Sequence, residues 1–428
     1  MMSESIDFSL ARRVVAAARP CLLPVSEAQL LPVEAYTSQS FWAFEKEAIF
    51  SREWLCIGHV SEVPNVGDHL PLTVLDEPVL MVRGDDGIRV LSSVCRHRGH
   101  PIVGGVKEIP VDGRCLHGRA LVCPYHSWTY NLDGSLRGAP SMSQTTPLET
   151  LRRTMRLPEI RSEIWHGLVF VNFDDNAPML APQLAKLDAE FRGYGFGELV
   201  LGHVFPQQSL GWNWKLHHEN ALEPYHTPYV HRNHHDAVPA ELTQFYDFED
   251  GDGQVMRTTR FAAEDGDLFE TSGTRRLPDI EGLSDEQRRR VLFVSIMPSA
   301  VAVLQPSFVT ITFVNPRSAG TVDTRRLNLY SRAAAASPDF DTIRREQFDR
   351  MKTIIMQDQT TQVALQQAYG SRFAPTGRFS HLETAITQLN QWIIGKYDRA
   401  LAQAGTNEKS PRPLAGEGGA HRASTMGG

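Results

Sequence analysis

The chain has 428 residues, of which 41% are hydrophobic and 22% charged, a balance that supports a sizeable core in two or three domains and excludes a mostly disordered chain. With 43 Lys+Arg against 50 Asp+Glu the formal net charge is -7, which gives no electrostatic reason to expect nucleic acid or a membrane surface as partner. Five cysteines, an odd number in so long a chain, read as reduced thiols of a cytoplasmic protein rather than as disulfide staples.

Residues 1–40 read as a partly helical lead-in. Arg12-Arg13 precedes only a short apolar run, Val14–Ala18, before Arg19-Pro20. An export signal needs a core of ~7–15 residues, so none is expected. From Trp54 onward, short apolar runs alternate with turn signals. The runs are Leu55–Val60, Leu70–Leu75, Val79–Val82 and Val90–Val94, punctuated by Pro64, Gly67, Asp76-Glu77-Pro78 and Gly84-Asp85-Asp86-Gly87. Trp128-Thr129-Tyr130 and the turn Asn131–Gly134 continue the pattern. Residues 41–160 are therefore expected as a small all-β domain.

Residues 161–404 are expected as a second domain of α+β class. It opens on a buried strand, Leu168–Val171, and turns helical over Trp212–Tyr225. It is β-rich over 290–332 and ends in a long helix near 340–369 and an amphipathic helix bearing Ile386, Leu389, Ile393 and Leu401. Val291–Val314 carries no charge and is long enough to span a bilayer. Pro298, Pro306 and the alternation Val309-Thr310-Ile311-Thr312-Phe313 point instead to paired strands. Residues 405–428, rich in Gly, Pro, Ser and charge, predict a mobile tail.

Two clusters of metal-ligating residues stand out. Cys95-Arg96-His97 and Cys123-Pro124-Tyr125-His126 each offer one thiol and one imidazole. Such a set suits a closed zinc site or a two-iron, two-sulfur cluster with both cysteines on one iron and both histidines on the other. Zinc sites usually pair Cys with Cys and His with His, so one of each per loop favours the cluster.

The second cluster lies among His217, His218, His226, His231, His234 and His235. Glu223 and His226 stand i and i+3, on one face if the segment is helical. Pro228 should end that helix, leaving His231 to return from a turn. Two imidazoles and one carboxylate make the facial triad of non-haem Fe(II) oxygenases, with open positions for O₂ and substrate. The carboxylate expected to complete it is Asp358, which continues the stripe Phe348, Met351, Ile355 on the long helix. A carboxylate on an apolar stripe is costly unless it is paired or ligates a metal. Asp341 and Asp349 lie off the stripe.

The runs Cys95-x-His97-Arg98-Gly99 and Cys123-Pro124-Tyr125-His126-Ser127-Trp128 resemble the two halves of a Rieske motif. That resemblance implies a [2Fe-2S] cluster on Cys95, His97, Cys123 and His126. The segment between the halves is longer than is usual in the family and contains Cys115-Leu116-His117, read here as loop residues. Asn213-Trp214-Lys215, Glu219-Asn220, Glu223-x-x-His226, His231, Asp358 and Gln366 are similar to the catalytic α subunit of Rieske non-haem iron oxygenases. Gln357 stands where the family often has Glu.

The family resemblance implies a small all-β Rieske domain joined to a helix-grip catalytic domain in a head-to-tail homotrimer. It further implies mononuclear Fe(II) on His226, His231 and Asp358. An NAD(P)H-dependent reductase or ferredoxin would feed the cluster, Glu223 would couple His126 of one subunit to His226 of the next, and Asn220 would line the site. O₂ and a small organic substrate complete the set. Glu at the bridging position points to mono-oxygenation or demethylation, with quaternary ammonium compounds among the candidates. Aromatic ring hydroxylation is the alternative, and a non-catalytic electron carrier the reading from another class. Tyr225, Tyr229, Phe245, Tyr246 and Phe248 could face a cation or belong to a core. His217, His218, His234 and His235 have no part in the resemblance and are expected to be exposed or to support the ligands.

Overall fold

The structure is a computed structural model that describes residues 6–102, 115–263, 266 and 276–409. Ten strands build the first half: β1 (Leu55–His59), β2 (Asp68–Val74), β3 (Glu77–Gly84), β4 (Gly87–Ser92), β5 (Leu116–His117), β6 (Leu121–Val122), β7 (Thr129–Tyr130), β8 (Leu136–Gly138), β9 (Glu159–Trp165) and β10 (Leu168–Asn172). Seven of them form one antiparallel sheet in the order β1-β10-β9-β4-β3-β2-β5, and β6-β7-β8 form a small second sheet. The hairpins are tight. Val74 pairs with Glu77 and Gly84 with Gly87, so each turn has two central residues. Glu77-Pro78 therefore opens β3 rather than breaking the chain. Leu168–Asn172, read from the sequence as part of the second region, pairs with β1 and β9 in this first sheet.

The second half is a seven-stranded antiparallel sheet, ordered β11-β17-β16-β15-β14-β13-β12. Its strands are β11 (Val200–Leu210), β12 (Thr243–Phe245), β13 (Gln254–Arg260), β14 (Arg290–Ile296), β15 (Ala300–Leu304), β16 (Val309–Ser318) and β17 (Thr321–Tyr330). It is a curled sheet that grips helices, the helix-grip architecture expected. The uncharged run Val291–Val314 falls in β14, β15 and β16. Its residues alternate: Leu292, Val294, Ala302, Val309 and Ile311 join one core with Leu187 and Phe191, while Phe293, Val301, Val303, Thr310 and Thr312 face a cavity. Among the described residues no helix is long and apolar enough to cross a membrane.

The helix Trp214–Leu222 is pinned against this sheet by polar side chains. Asn213 caps its N-terminus by accepting from the Lys215 amide at 3.0 Å, and its own amide donates to the Ala319 carbonyl at 2.6 Å. The fully buried Lys215 ammonium donates to Glu45 at 2.6 Å, and the Trp214 indole donates to the other oxygen of Glu45 at 2.9 Å. His218, also buried, bridges Ser295 and the Pro298 carbonyl, each at 3.0 Å. The long helix Phe340–Tyr369 is tied to the same point: Gln366 accepts from the Asn213 amide at 2.8 Å and donates to the Tyr36 carbonyl at 3.0 Å.

The C-terminal helix spans Thr384–Lys409, so it runs through Gly405, where a tail was expected to begin. The rest of the expected tail lies outside the described residues. At the other end Arg12-Arg13 lies in the helix Phe8–Ala17, which buries Ala11, Val14 and Val15. Arg19 then pairs with Asp398 of the C-terminal helix at 2.6 Å.

Replacing Lys215 by Met leaves the Glu45 carboxylate buried without its countercharge. Breaking such a pair costs about 3–5 kcal/mol, read as a lower urea midpoint. Lys215→Met combined with Glu45→Gln should recover much of that loss, because the amide oxygen still accepts from Trp214.

Candidate metal centres and cavity

The chain leaves the helix Trp214–Leu222 at Glu223, which is extended (φ -111°, ψ 131°), and a short helix Thr227–Val230 comes next. Pro228 sits in the first turn of that helix, where a missing N–H costs nothing. It therefore starts a helix and does not end one, and Glu223 and His226 meet across a turn rather than along a helical face. The Glu223 carboxylate accepts from the His226 backbone N–H at 3.0 Å and from its ring Nδ1. His231 caps the short helix.

Asp358 projects from the middle of the long helix and meets both histidines. Its Oδ1 lies 2.9 Å from His231 Nε2 and 3.7 Å from His226 Nε2, and one ligand atom from each of the three residues lies within 4.8 Å of the others. Two ligands at right angles on metal bonds of about 2.1 Å stand about 3 Å apart, so the spacing fits a shared ion. Asp358 Oδ1 is buried without an aligned hydrogen bond, which also fits a lone pair directed at a metal. His231 Nδ1 bonds Gln357 Oε1 at 2.8 Å, as His226 Nδ1 bonds Glu223, so both rings keep Nε2 free for the ion. His226, His231 and Asp358 form an iron-binding triad. Gln357, which in the sequence stands out only as a departure from the family pattern, supplies the partner that one ligand needs.

Two loops of the first half bring the other set together. Cys95 and Cys123 are buried free thiols close enough to hydrogen-bond, and the His97 and His126 ring centroids lie 4.8 Å apart. His97 stacks on Trp128 at 5.0 Å, and its buried Nδ1 has no hydrogen-bond partner. The Tyr130 hydroxyl lies 3.3 Å from Cys95 Sγ and accepts from the Arg96 amide. Gly99 turns the first loop with φ +78°, a left-handed conformation that glycine adopts without strain. Paired thiols, paired imidazoles and an orphaned ring nitrogen fit a [2Fe-2S] cluster. His117 lies elsewhere, pairing with Asp68 at 2.8 Å on the edge strand β5, and Cys115 stands half-buried beside it. Most of the long segment before them, 103–114, lies outside the described residues.

A cavity of about 450 Å³ opens beside the triad. Phe205, Trp212, Phe293 and Phe348 supply its aromatic walls, and Asn220 lines it. None of the five aromatics considered for a cation box reaches it. Tyr225 and Tyr229 are 46% and 67% exposed, Phe245 and Phe248 pack on the core, and Tyr246 accepts a hydrogen bond from Arg290. His217 and His235 do line the cavity, against the expectation that they lie exposed or behind the ligands. Burial lowers the pKa of His217 to about 3 and that of His218 to about 4, so both are neutral. The side chain of His234 lies outside the described residues.

Two family models match in tandem: a Rieske [2Fe-2S] domain over residues 53–155, and the catalytic domain of a ring-hydroxylating α subunit over residues 192–399. The chain belongs to the Rieske-type ring-hydroxylating oxygenases, as a catalytic α subunit. It is 32% identical to the carnitine monooxygenase oxygenase subunit of Escherichia coli (strain K12) over 218 residues, 50% of this chain and 55% of that protein. It is 36% identical to putrescine 2-hydroxylase of Bordetella bronchiseptica over 208 residues, 47% of this chain and 45% of that one. The matched part thus spans about half the length of these curated relatives. The quaternary ammonium Rieske monooxygenase CntA superposes with a TM-score of 0.71 at 21% identity, over 88% of this chain and 98% of that one. This likeness extends the shared fold across both halves.

Asp358→Ala should lower mononuclear iron in the purified protein while leaving the visible Rieske absorption intact, because the two ligand sets come from separate segments. Gln357→Leu, which removes the acceptor from His231, should weaken iron binding about 10–100-fold. Metal analysis after graded chelation measures both.

Proposed function

We propose that the chain is the terminal oxygenase of a multicomponent system that mono-oxygenates or demethylates a small organic substrate. The observation that carries this reading is the triad His226, His231 and Asp358 opening onto the cavity, in a chain that also holds the Cys95/His97 and Cys123/His126 set. An electron carrier would need the second set without the first. In this reading Cys95, His97, Cys123 and His126 hold the [2Fe-2S] cluster. Bound to these two sites, the cluster supplies single electrons and the iron activates O₂.

The chain's own residues do the rest. Glu223 holds the Nδ1 proton of His226, and Gln357 that of His231, so both ligands stay in one tautomer. The apolar and aromatic wall of the cavity excludes water from the substrate, and Asn220 offers it a polar contact. His126 is exposed, so its ring is accessible to a neighbour. In a head-to-tail trimer it would meet Glu223 of the adjacent chain and give electrons a hydrogen-bonded path between subunits. An NAD(P)H-dependent reductase or ferredoxin is the proposed donor, and the cytoplasm the proposed place of action, which suits five free thiols.

Mono-oxygenation is placed first because the carnitine and putrescine enzymes are named for that chemistry. Ring hydroxylation is the second reading, favoured by Phe205, Trp212, Phe293 and Phe348 around the cavity.

Purified protein should contain about three irons and two acid-labile sulfides per chain, whereas a carrier would show two irons. Cys95→Ala or Cys123→Ala should bleach the Rieske spectrum and Cys115→Ala should not. Loss of the cluster in Cys115→Ala with retention in Cys95→Ala would overturn the ligand assignment. Glu223→Gln keeps the shape but not the charge of the bridging group. Its cluster should still be reduced by the donor, but reoxidation in single turnover with substrate and O₂ should slow by orders of magnitude at unchanged iron content. Wild-type reoxidation would reduce Glu223 to a local partner of His226.

A further inference from the structure

Two guanidinium groups line the cavity wall, Arg257 on β13 and Arg326 on β17. Strand alternation puts them there: Arg257 shares its face with Thr259, and Arg326 with Thr324. Arg326 donates its Nε–H to Thr312 at 2.8 Å and lies over the Phe205 ring, 5.5 Å from its centroid. Its two Nη groups have no hydrogen-bond partner among the described residues. Arg257 lies over Phe293 at 3.7 Å and donates to the Ala221 carbonyl and to Thr259, each at 3.2 Å.

Neither arginine forms a salt bridge among the described residues. The carboxylate acting on Arg326 is Asp358, and the one acting on Arg257 is Glu223. Both are already committed, to the triad and to His226. Asp358 is the only carboxylate among the described residues that line the cavity. Burial lowers both arginines, Arg257 to about 9 and Arg326 to about 10, yet both stay charged at neutral pH. Iron(II) held by two neutral imidazoles and one carboxylate would add a further positive charge. A desolvated cation without a counter-ion is unfavourable, and the planar guanidinium fork matches an oxyanion.

We propose that the substrate of this cavity carries an anionic oxyacid group, a carboxylate or sulfonate, gripped by the unpartnered Nη groups of Arg326, with Arg257 as a second positive charge. The inference rests on the oxygenase reading and names what that site admits. A diamine without an acid group meets two guanidinium charges and no uncommitted carboxylate. A zwitterion fits, with its acid end on the sheet and its oxidised carbon toward the triad.

The test is calorimetric titration of the full chain, loaded with iron and cluster, at low ionic strength. The probes are matched pairs: benzoate and benzamide, benzenesulfonate and benzenesulfonamide, butanoate and butanamide. At least one acid should bind about tenfold or more tightly than its uncharged partner. Arg326→Met should cut that preference to about threefold or less, and Arg326→Lys should restore part of it. The pairs also separate carboxylate from sulfonate. If Arg326→Met does not fold, phenylglyoxal modification of wild-type Arg326 decides: the preferred acid must slow it and the uncharged partner must not. Equal binding of acids and uncharged partners, binding by none of the acids, or an unchanged preference in Arg326→Met overturns the inference. Iron and sulfide analysis of the same samples tests the oxygenase reading separately.

Discussion

A lysine ammonium with no access to water fixes where the iron site stands. Lys215 can remain charged only because Glu45 meets it, and Glu45 in turn takes hydrogen bonds from Trp214 and Tyr397. A pair of this kind contributes little net stability, since desolvation offsets the attraction, but it tolerates only one geometry. It therefore works as a register pin. The helix Trp214–Leu222 cannot slide or rotate without stranding a charge, and His218 and Glu219 on the same helix are held by partners of their own. The Tyr36 hydroxyl donates to Glu219 at 2.6 Å, although burial still raises that carboxyl to about 7.

The pinned helix places the ligand loop at its C-terminal end. Glu223 comes one residue after its end, and the turn to Pro228 brings His226 and His231 round to the cavity. Asp358 arrives from a different direction, so its register must be set independently. Gln366, two turns further along the long helix, bonds Asn213 at the start of the pinned helix. One cap residue thus ties the helix that leads into the histidine loop to the helix that carries Asp358. The metal then has little reorganisation to impose on the chain.

The triad, and the two Cys/His pairs that the fold brings together, were readable from the sequence because each motif is compact. Cys-x-His and Cys-x-x-His place donors on one tight loop each, and Asp358 betrays itself as an acid on an apolar helical stripe. The strand runs were equally readable, since short apolar runs bounded by turn residues mark strands, and Val309–Phe313 alternates between core and cavity. The geometry between Glu223 and His231 was not, because i, i+3 spacing fits a helix and a turn alike and Pro228 can start or stop a helix. Nor could the sequence show which strand Leu168–Asn172 would join. His217 was misjudged because a polar residue on a short helix looks exposed until the cavity is known. Arg325 and Arg326 are adjacent and chemically identical, and only the pairing register decides that Arg326 faces the cavity while Arg325 pairs with the buried Glu62.

That register also separates stability from specificity. In β13–β17 one set of alternate residues packs into the core with Leu187 and Phe191, and the other set faces the cavity. A substitution on the first set changes a close-packed interior, where a missing methylene is felt across the sheet. A substitution on the second set changes what the cavity admits and leaves the sheet intact. The triad and its partners Glu223 and Gln357 come from helices and turns on the opposite wall. Oxygen chemistry and substrate choice are therefore carried by different elements. Relatives that share the fold and are named for different small molecules are what such a division allows, because the sheet face can vary without disturbing the ligands that hold the iron.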